Sequence, residues 1–236
     1  MEELNIKIFA DGAVIEDMLT AKRTGIIKGF TTNPSLMKQA GITSYKDFAK
    51  QVLQEINDLP VSFEVFADDF DSMEKEARKI GSWGENVYIK IPITNSKGES
   101  SIPLIRKLSA SGLSLNVTAI LTIDQVRESV NAFHPGTRNI VSVFAGRIAD
   151  SGIDPVPYMR EAAYICHEKN GTELLWASTR ELYNIFQAED CGCDIITCTP
   201  AIIKKLPNIG KDLKQISLET VQMFHKDIQS LGYSIL

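Results

Sequence analysis

The stretch VYIKIPI, residues 87–93, places one lysine inside a run of apolar residues. A strand with one wet face alternates apolar and polar residues, whereas this run is typical of a parallel strand covered on both faces. Burial disfavours the ammonium form of a lysine, and a neutral amine can attack a ketone to form an imine. Lys90 is therefore either a Schiff-base nucleophile or a structural lysine held by a carboxylate.

Two carboxylates in neighbouring predicted strands favour the catalytic interpretation. Glu64 lies between Phe63 and Val65, and glutamate is almost never buried without a partner. Asp11 ends the first predicted strand, although an aspartate before a glycine could instead cap the helix that follows. A lysine between two such groups is a candidate for imine chemistry with general acid and base assistance.

Polar residues recur in or just after most of the predicted strands. Buried polar groups need partners, so a cluster of this size would be costly as structure alone. Arginines at strand ends suit a phosphate or a carboxylate, with surface salt bridges as the alternative. The residues predicted to form a site are Asp11, Thr31, Thr32, Asn33, Glu64, Lys90, Asn116, Thr118, Ser142, Arg147, Ser178 and Arg180.

The elements that must position these residues alternate regularly along the chain. Helices are predicted at residues 45–57, 72–83, 101–111, 123–132, 155–169 and 180–189, among others, with a capping box from Thr122 to Gln125 and stops at Gly112 and Gly171. Eight strand–helix units predict a (β/α)8 TIM barrel, with a doubly wound open sheet as the alternative. Strands are predicted at residues 6–11, 29–33, 61–67, 86–93, 114–121, 139–146, 173–178 and 193–199.

No linker or shift in composition divides the chain, so residues 1–236 are predicted to form a single barrel domain. One further helix, at about residues 213–231, falls outside the eight units. Such an appended helix must pack either on its own barrel or on a neighbouring subunit.

Composition and motifs exclude several function classes. A net charge of −5 argues against the basic surface that binding to nucleic acid or to an anionic membrane requires. The N-terminus has no signal-peptide pattern, and no apolar run is long enough to span a bilayer, so we expect a cytoplasmic protein. Dinucleotide, triphosphate and Ser-His-Asp motifs do not occur.

A metal centre is not expected either. The three histidines, His134, His167 and His225, have no partner at ligand spacing. Cys191 and Cys193 could supply two ligands of a metal site, but no histidine or second pair of cysteines lies near them. The cysteines are better interpreted as reduced thiols that pack in the interior. We expect no metal and no organic cofactor.

Six motifs in order, from about residue 11 to residue 206, resemble the transaldolase family. They are GFTTNPS, VSFEVFA, VYIKIPIT, LNVTAILT, VSVFAGRI and WASTRE. The chain length is similar to that of the small, barrel-only branch, which also contains fructose-6-phosphate aldolases.

The resemblance implies a role for each candidate residue. Lys90 would form the Schiff base, Asp11 would take the proton of the C4 hydroxyl, and Glu64 with Thr118 would handle the water of imine formation and hydrolysis. Asn33, Asn116 and Ser142 would bind the dihydroxyacetone unit, and Arg147, Ser178 and Arg180 would bind the sugar phosphate. Thr31 and Phe144 are also predicted to bind the substrate.

Two positions separate the branches of this family. Aldolase-type members carry glutamine at the position of Glu64 and tyrosine at the position of Phe144, and this chain has the transaldolase choice at both. The resemblance therefore implies transfer of a dihydroxyacetone unit between sugar phosphates. The rivals are an aldolase that releases free dihydroxyacetone and a non-catalytic barrel that binds a phosphosugar.

The chain also departs from the family pattern. Gly12 follows Asp11 where relatives usually have serine or threonine, and residues 94–103 form a longer connection than usual after the lysine strand. This loop is expected to reshape the rim of the pocket. The resemblance further implies a homo-oligomer, a pentamer or a decamer, with the terminal helix packed on a neighbouring subunit.

Overall fold

Eight parallel strands close into a barrel in the computed structural model, which describes residues 4–232. Each strand pairs with its neighbours in sequence, and the eighth pairs with the first. The predicted (β/α)8 barrel is therefore confirmed, and the open-sheet alternative is wrong. Residues 1–3 and 233–236 of the predicted domain lie outside the described range. The strands are β1 (Lys7–Asp11), β2 (Ile27–Thr31), β3 (Val61–Glu64), β4 (Val87–Pro92), β5 (Leu115–Ile120), β6 (Asn139–Val143), β7 (Thr172–Trp176) and β8 (Ile195–Cys198).

Helices connect successive strands and cover the outside of the barrel. Those before β5 are α1 (Ile15–Arg23), α2 (Pro34–Gln39), α3 (Tyr45–Glu55), α4 (Phe70–Gly81) and α5 (Ile102–Ala110). Those after it are α6 (Ile123–Ala132), α7 (Ala145–Asp150), α8 (Pro155–His167), α9 (Asn184–Asp190), α10 (Pro200–Ile203) and α11 (Leu213–Leu231), with a 3-10 turn at Leu206–Asn208.

The predicted helix signals are present in the structure. Thr122 accepts from the backbone N–H of Gln125, whose side chain in turn accepts from the backbone N–H of Thr122. Gly112 and Gly171 both have positive φ angles, 81° and 85°, which a glycine adopts without steric cost. Gly112 follows the end of α5, as the sequence predicts, whereas α8 already ends at His167, four residues before Gly171.

A separate cluster of apolar side chains fills the inside of the barrel, apart from the larger core between strands and helices. It consists of Phe9, Tyr88, Ile140, Leu175, Ala177 and Ile195, with Phe144 packed against it. Gly29 leaves the space that the ring of Phe9 occupies, since a Cβ atom on Gly29 would lie 2.5 Å from the ring Cζ. Phe9 and Gly29 pair two positions before Asp11 and Thr31, so this layer lies directly beneath those two residues on the inward face and supports them.

Several predicted boundaries are wrong, and three of them bear on residues of the predicted site. The predicted strand at residues 139–146 ends at Val143, because Phe144 accepts the backbone N–H groups of Arg147 and Ile148 and a helix begins. The strand predicted at 29–33 ends at Thr31, because Asn33 caps α2 and Pro34 opens it. The helix predicted at 180–189 begins only at Asn184. Arg147 therefore lies on a helix, and Arg180 lies in a loop.

Helix α11 presents its apolar side chains to solvent in the isolated chain. As far as the structure describes it, this helix has no buried residue. Its exposed apolar residues are Leu213, Ile216, Leu218, Val221, Met223, Phe224, Ile228 and Leu231. The predicted helix is confirmed, and its packing on a neighbouring subunit stays a prediction. Nowhere in residues 4–232 is there a helix with the length and apolar character to cross a membrane.

Candidate active site

The register of the strands brings Lys90 between two polar neighbours. Lys90 pairs with Glu64 of β3 on one side and with Asn116 of β5 on the other. Paired residues of neighbouring parallel strands point to the same face of a sheet, so these side chains share the inside of the barrel. Glu64 is the last residue of β3 and Lys90 lies in the second half of β4, toward the carboxyl ends where barrel enzymes carry their sites, whereas Asn116 is the second residue of β5.

The Lys90 amine is buried and has two partners. Its Nζ donates to the backbone carbonyl of Thr32 at 3.1 Å and lies 3.3 Å from Oε2 of Glu64. The two side chains are only 9% and 17% exposed. A buried ion pair is weak as a stabilising device, because desolvation of both charges offsets their attraction. The pair is therefore weak evidence for a purely stabilising role.

Tyr45 fixes the end of β3, where Glu64 lies. Its hydroxyl group donates to the backbone carbonyl of Glu64 at 2.9 Å. Burial raises the pKa of Tyr45 well above its ordinary value, so the phenol stays a donor. The sequence does not reveal this contact, because Tyr45 lies on α3 and looks like an ordinary core residue.

Asp11 is a carboxyl group in a largely desolvated setting. Thr31 donates to its Oδ1 at 2.8 Å, and the Asn33 amide donates to its Oδ2 at 3.4 Å. Burial raises the pKa of Asp11, and this effect outweighs the lowering by the charge of Lys90 and by the two donors. The alternative that Asp11 caps α1 is wrong, because the residue at that cap is Val14 and no side chain caps the helix.

Asn33 has a second contact that holds it in place. Its Oδ1 accepts from the backbone N–H of Leu36 and so caps α2, which leaves the amide nitrogen to point toward Asp11. The start of a short helix thus orients a side chain of the site.

A hydrogen-bonded chain of three buried side chains lies beside Lys90. Ser142 donates to Oδ1 of Asn116 at 2.6 Å, and Nδ2 of Asn116 donates to the hydroxyl of Ser62 at 3.0 Å. Among residues 4–232, the hydroxyl proton of Ser62 and the second amide proton of Asn116 have no acceptor. Ser62 was missed by the sequence reasoning, although it lies two residues before Glu64 and so on the same face of β3.

Thr118 carries a buried hydroxyl group with no hydrogen-bond partner among the described residues. The next residue, Ala119, has a φ of 61°, and the pairing of β5 with β6 slips between Val117 and Ile120. Bulges of this kind often occur next to active sites, where they redirect a side chain. An unpaired hydroxyl group in such a place is suited to a water or substrate oxygen.

The rim carries the predicted arginines on two adjacent segments. The guanidinium of Arg147 lies 5.7 Å from the ring centroid of Phe144. Arg180 makes a two-point ion pair with Asp150, one of its contacts being Nε to Oδ1 at 3.1 Å. That hydrogen-bonded pair keeps the pKa of Asp150 below its usual range.

Gly146 and Ser178 bring these two rim segments into contact. Ser178 has a φ of 64°, which is uncommon for a residue with a side chain. A Cβ atom on Gly146 would lie 1.7 Å from the backbone oxygen of Ser178. Only glycine therefore permits the approach, which places Arg147 near the segment of Ser178 and Arg180. The structure shows no contact between these arginines and the Lys90 group.

The long loop after β4 forms one wall of a cavity of about 440 Å³ next to Glu64. The loop closes on itself through a bridge between Thr94 and Ser100, and Asp68 accepts from both the backbone N–H and the hydroxyl of Ser96 at 2.7 Å. The cavity is lined by Pro34, Glu64, Val65, Phe66, Ala67, Asp68, Met73, Pro92, Thr94, Asn95 and Ser96.

Potential metal ligands are not grouped in the part of the chain that the structure describes. No three histidine, cysteine, aspartate or glutamate side chains of residues 4–232 are arranged to hold a metal ion. The four cysteines, all within that range, are buried and form no disulfide.

Comparison with known proteins places this geometry in context. Residues 8–235 match the model of a family described as transaldolase/fructose-6-phosphate aldolase. A probable transaldolase of Sphingopyxis alaskensis is 36% identical over 205 residues, which is 85% of this chain and 89% of that protein. A probable transaldolase of Erythrobacter litoralis is 33% identical over 235 residues, covering 98% of this chain and the whole of that protein. A third, from Streptococcus agalactiae, is 34% identical over 193 residues, or 81% of this chain and 85% of its own length.

Proposed function

The chain belongs to the transaldolase/fructose-6-phosphate aldolase family, and on that premise we propose that it is a transaldolase that works through a Schiff base on Lys90. It would move a dihydroxyacetone unit from a ketose phosphate to an aldose phosphate. The expected donors are sedoheptulose 7-phosphate and fructose 6-phosphate, and the expected acceptors are glyceraldehyde 3-phosphate and erythrose 4-phosphate. The observation that carries the proposal is the buried Lys90–Glu64 pair, with its 3.3 Å separation, inside the barrel mouth.

Imine formation needs an unprotonated amine and the removal of one water molecule. The ammonium of Lys90 must give up a proton before it can attack the C2 carbonyl of the ketose, and the carboxylate of Glu64 lies within reach of it. The carbinolamine then loses its hydroxyl group as water, for which Glu64 would supply the proton. The Thr118 hydroxyl, which has no hydrogen-bond partner among residues 4–232, supports a place for that water near the imine.

Cleavage of the C3–C4 bond needs a base at the C4 hydroxyl, a role we assign to Asp11. Its carboxylate takes the proton as the bond breaks, the bonding electrons move into the iminium to give an enamine, and the aldose leaves. Attack of the enamine on a second aldehyde reverses these steps, and Asp11 returns the proton to the new hydroxyl group. The raised pKa of Asp11 supports this exchange, because a group that both accepts and donates must not be too strong an acid.

The two ends of the substrate would meet different groups. Asn116 and the additional residue Ser62 would offer donors to the hydroxyl groups of the dihydroxyacetone unit, and Ser142 would offer an acceptor oxygen. Asn33 and Thr31 hold Asp11 beside that unit. At the other end, a phosphate would bind to the arginines of the rim with Ser178.

Phe144 favours transfer over release. Its ring packs against the apolar cluster inside the barrel and lies below the guanidinium of Arg147. A phenyl group has no proton to give to the enamine, so the enamine would persist until an aldehyde arrives. An aldolase-type member would protonate it and release free dihydroxyacetone.

A transfer assay tests this proposal. With fructose 6-phosphate and erythrose 4-phosphate, we expect sedoheptulose 7-phosphate and glyceraldehyde 3-phosphate, with little free dihydroxyacetone. Lys90→Arg should abolish the reaction, while Lys50→Arg, an exposed lysine on α3, serves as the matched control. Free dihydroxyacetone formed without an acceptor would indicate an aldolase. Tight binding without turnover would indicate a binding protein.

A cytoplasmic location and a pentameric or decameric assembly are further parts of the proposal. The exposed apolar residues of α11 support the assembly, because a patch of this size on a free helix is unusual for a monomer. We propose that α11 buries these apolar residues by packing on a neighbouring subunit.

A further inference from the structure

Two threonine hydroxyl groups connect strand β8 to the carboxyl group of Asp11. The Oγ1 atoms of Thr31 and Thr197 are 2.6 Å apart, and Oγ1 of Thr31 is 2.8 Å from Oδ1 of Asp11. Thr31 is 3% and Thr197 is 7% exposed, so water competes little for either hydroxyl. Neither the strand motifs nor the family resemblance singles out Thr197.

The number of protons in this chain fixes the direction of its hydrogen bonds. A threonine hydroxyl has one proton to donate, and an ionised carboxylate only accepts. When Asp11 is ionised, the proton of Thr31 must point toward Asp11, so the contact of 2.6 Å requires Thr197 to donate to Thr31. When Asp11 carries a proton, the order can reverse, with Asp11 donating to Thr31 and Thr31 donating to Thr197.

The Thr197 hydroxyl group is suited to both directions. Among the described residues it makes no other hydrogen bond, so it can act as donor in one state and as acceptor in the other. Its backbone is fixed, since the carbonyl of Thr197 accepts from the hydroxyl of Thr179 at 2.7 Å. The chain can therefore change its proton order without moving a heavy atom.

We propose that Thr197 is a positioning residue for Asp11, at the end of a hydroxyl chain that reverses as Asp11 gains and loses the substrate proton. This inference rests on the proposed function, in which Asp11 is the acid and base of carbon–carbon cleavage. Thr197 itself touches no substrate in this mechanism. It keeps Thr31 directed at Asp11 in the ionised state and accepts the reversed bond in the protonated state.

The titratable and charged groups around Asp11 set the background for a test. Lys90 of β4 faces it and lowers its pKa, and Glu64 of β3 lies beyond Lys90. On β8 the thiol of Cys198 has a pKa raised by burial to about 12, so it stays neutral in the working range. Strand β2 contributes only the neutral Thr31 to the contacts of Asp11. Replacement of Thr197 changes none of these charges.

The experiment compares Thr197→Val, Thr197→Ser and Thr172→Val. Valine keeps the shape of threonine without the hydroxyl, and serine keeps the hydroxyl. Thr172, at the opposite end of the barrel, is a buried threonine whose hydroxyl has no partner among residues 4–232, so its replacement is the matched control. We expect Thr197→Val to lower kcat by about three- to tenfold, the loss of one hydrogen bond at the transition state, with KM nearly unchanged.

The pH dependence gives the readout that a purely structural role would not move. Without the Thr197 hydroxyl, both protonation states of Asp11 lose a hydrogen bond in the chain. The ionised state loses more, because hydrogen bonds that end on a charged carboxylate are stronger than those that start from a neutral carboxyl group. The pKa of Asp11 therefore rises, and the acid limb of kcat moves to higher pH. Thr197→Ser should restore both kcat and the limb. The proposal would be overturned if the acid limb of kcat stays in place in Thr197→Val, if Thr172→Val loses as much kcat, or if Thr197→Ser does not recover kcat.

A titration of the free protein separates this inference from the proposed function. Carbon-13 labelling of aspartate carboxyl groups, with the Asp11 signal assigned by its loss in Asp11→Asn, reports its protonation without any turnover. A rise in the Asp11 pKa in Thr197→Val, but not in Thr172→Val, supports the hydroxyl chain even if the transfer assay fails. An unchanged titration overturns the chain even if the protein is an active transaldolase.

Discussion

Replacement of Gly29 by alanine would place a methyl group against the ring of Phe9 inside the barrel. The new Cβ atom would lie 2.5, 2.6 and 2.7 Å from three ring carbons, closer than any ordinary contact. Phe9 is only 2% exposed and packs within the internal cluster, so its ring has little room to move. Overpacking of this kind costs about 1–3 kcal/mol.

A smaller gain opposes this cost. Gly29 does not have a positive φ, so alanine fits its backbone and would stabilise by about 0.4–1 kcal/mol through the unfolded state. We expect a net loss of about 1–2 kcal/mol in the free energy of unfolding, which for a domain of this size lowers Tm by about 2–8 °C. Because the layer supports Asp11 and Thr31, activity should fall as well.

Urea unfolding followed by circular dichroism, with a thermal scan, measures the effect. Gly12→Ala is the control, since no atom lies within 4 Å of its added Cβ, and it should be neutral or slightly stabilising. Phe9→Leu combined with Gly29→Ala should recover part of the loss, because leucine vacates the space at the end of the ring. A Gly29→Ala protein as stable as the wild type, or a double variant that shows no recovery, would refute the reasoning.

Three further predictions concern the rim and the terminal helix. Gly146→Ala would force a methyl group onto the backbone oxygen of Ser178, so KM for phosphorylated donors should rise by about tenfold or more in steady-state assays; an unchanged KM would contradict this contact. Asp150→Asn should change stability little, because its ion pair with Arg180 is half exposed, yet it should alter KM for sugar phosphates and the salt dependence of that KM. A KM that keeps its wild-type salt dependence would argue against a binding role. Phe224→Glu should reduce the oligomer to smaller species in sedimentation velocity, and an unchanged assembly would place the interface elsewhere.

The polar pattern of the strands made much of the site predictable. Alternate residues of a barrel strand face inward, so the sequence alone predicts that Lys90, Glu64 and Asn116 all point into the barrel. The same parity includes Ser62, which the sequence reasoning passed over in favour of the charged residue two positions later. The barrel was likewise predictable, because eight apolar strand-like runs alternate with helical segments that are marked by capping residues and glycines.

Contacts between distant segments could not be predicted in this way. The bond from Thr197 to Thr31 spans 166 residues, and only barrel closure brings the two strands close enough. The pairing of Asp150 with Arg180 depends on where α7 begins. The sequence does not mark that point, because the apolar run before Arg147 continues past the end of β6 with no turn or capping residue. Periodicity indicates which face a residue takes, but not the partner that it meets there.

Borohydride trapping shows directly whether Lys90 forms a Schiff base with a ketose phosphate. The protein is incubated with fructose 6-phosphate, reduced, digested and mapped by mass spectrometry, with Lys90→Arg treated in parallel. We expect an adduct of dihydroxyacetone or hexose phosphate size on Lys90 and none in the variant. A folded protein that stays unlabelled while a related transaldolase is labelled under the same conditions, or an adduct on another lysine, would contradict it.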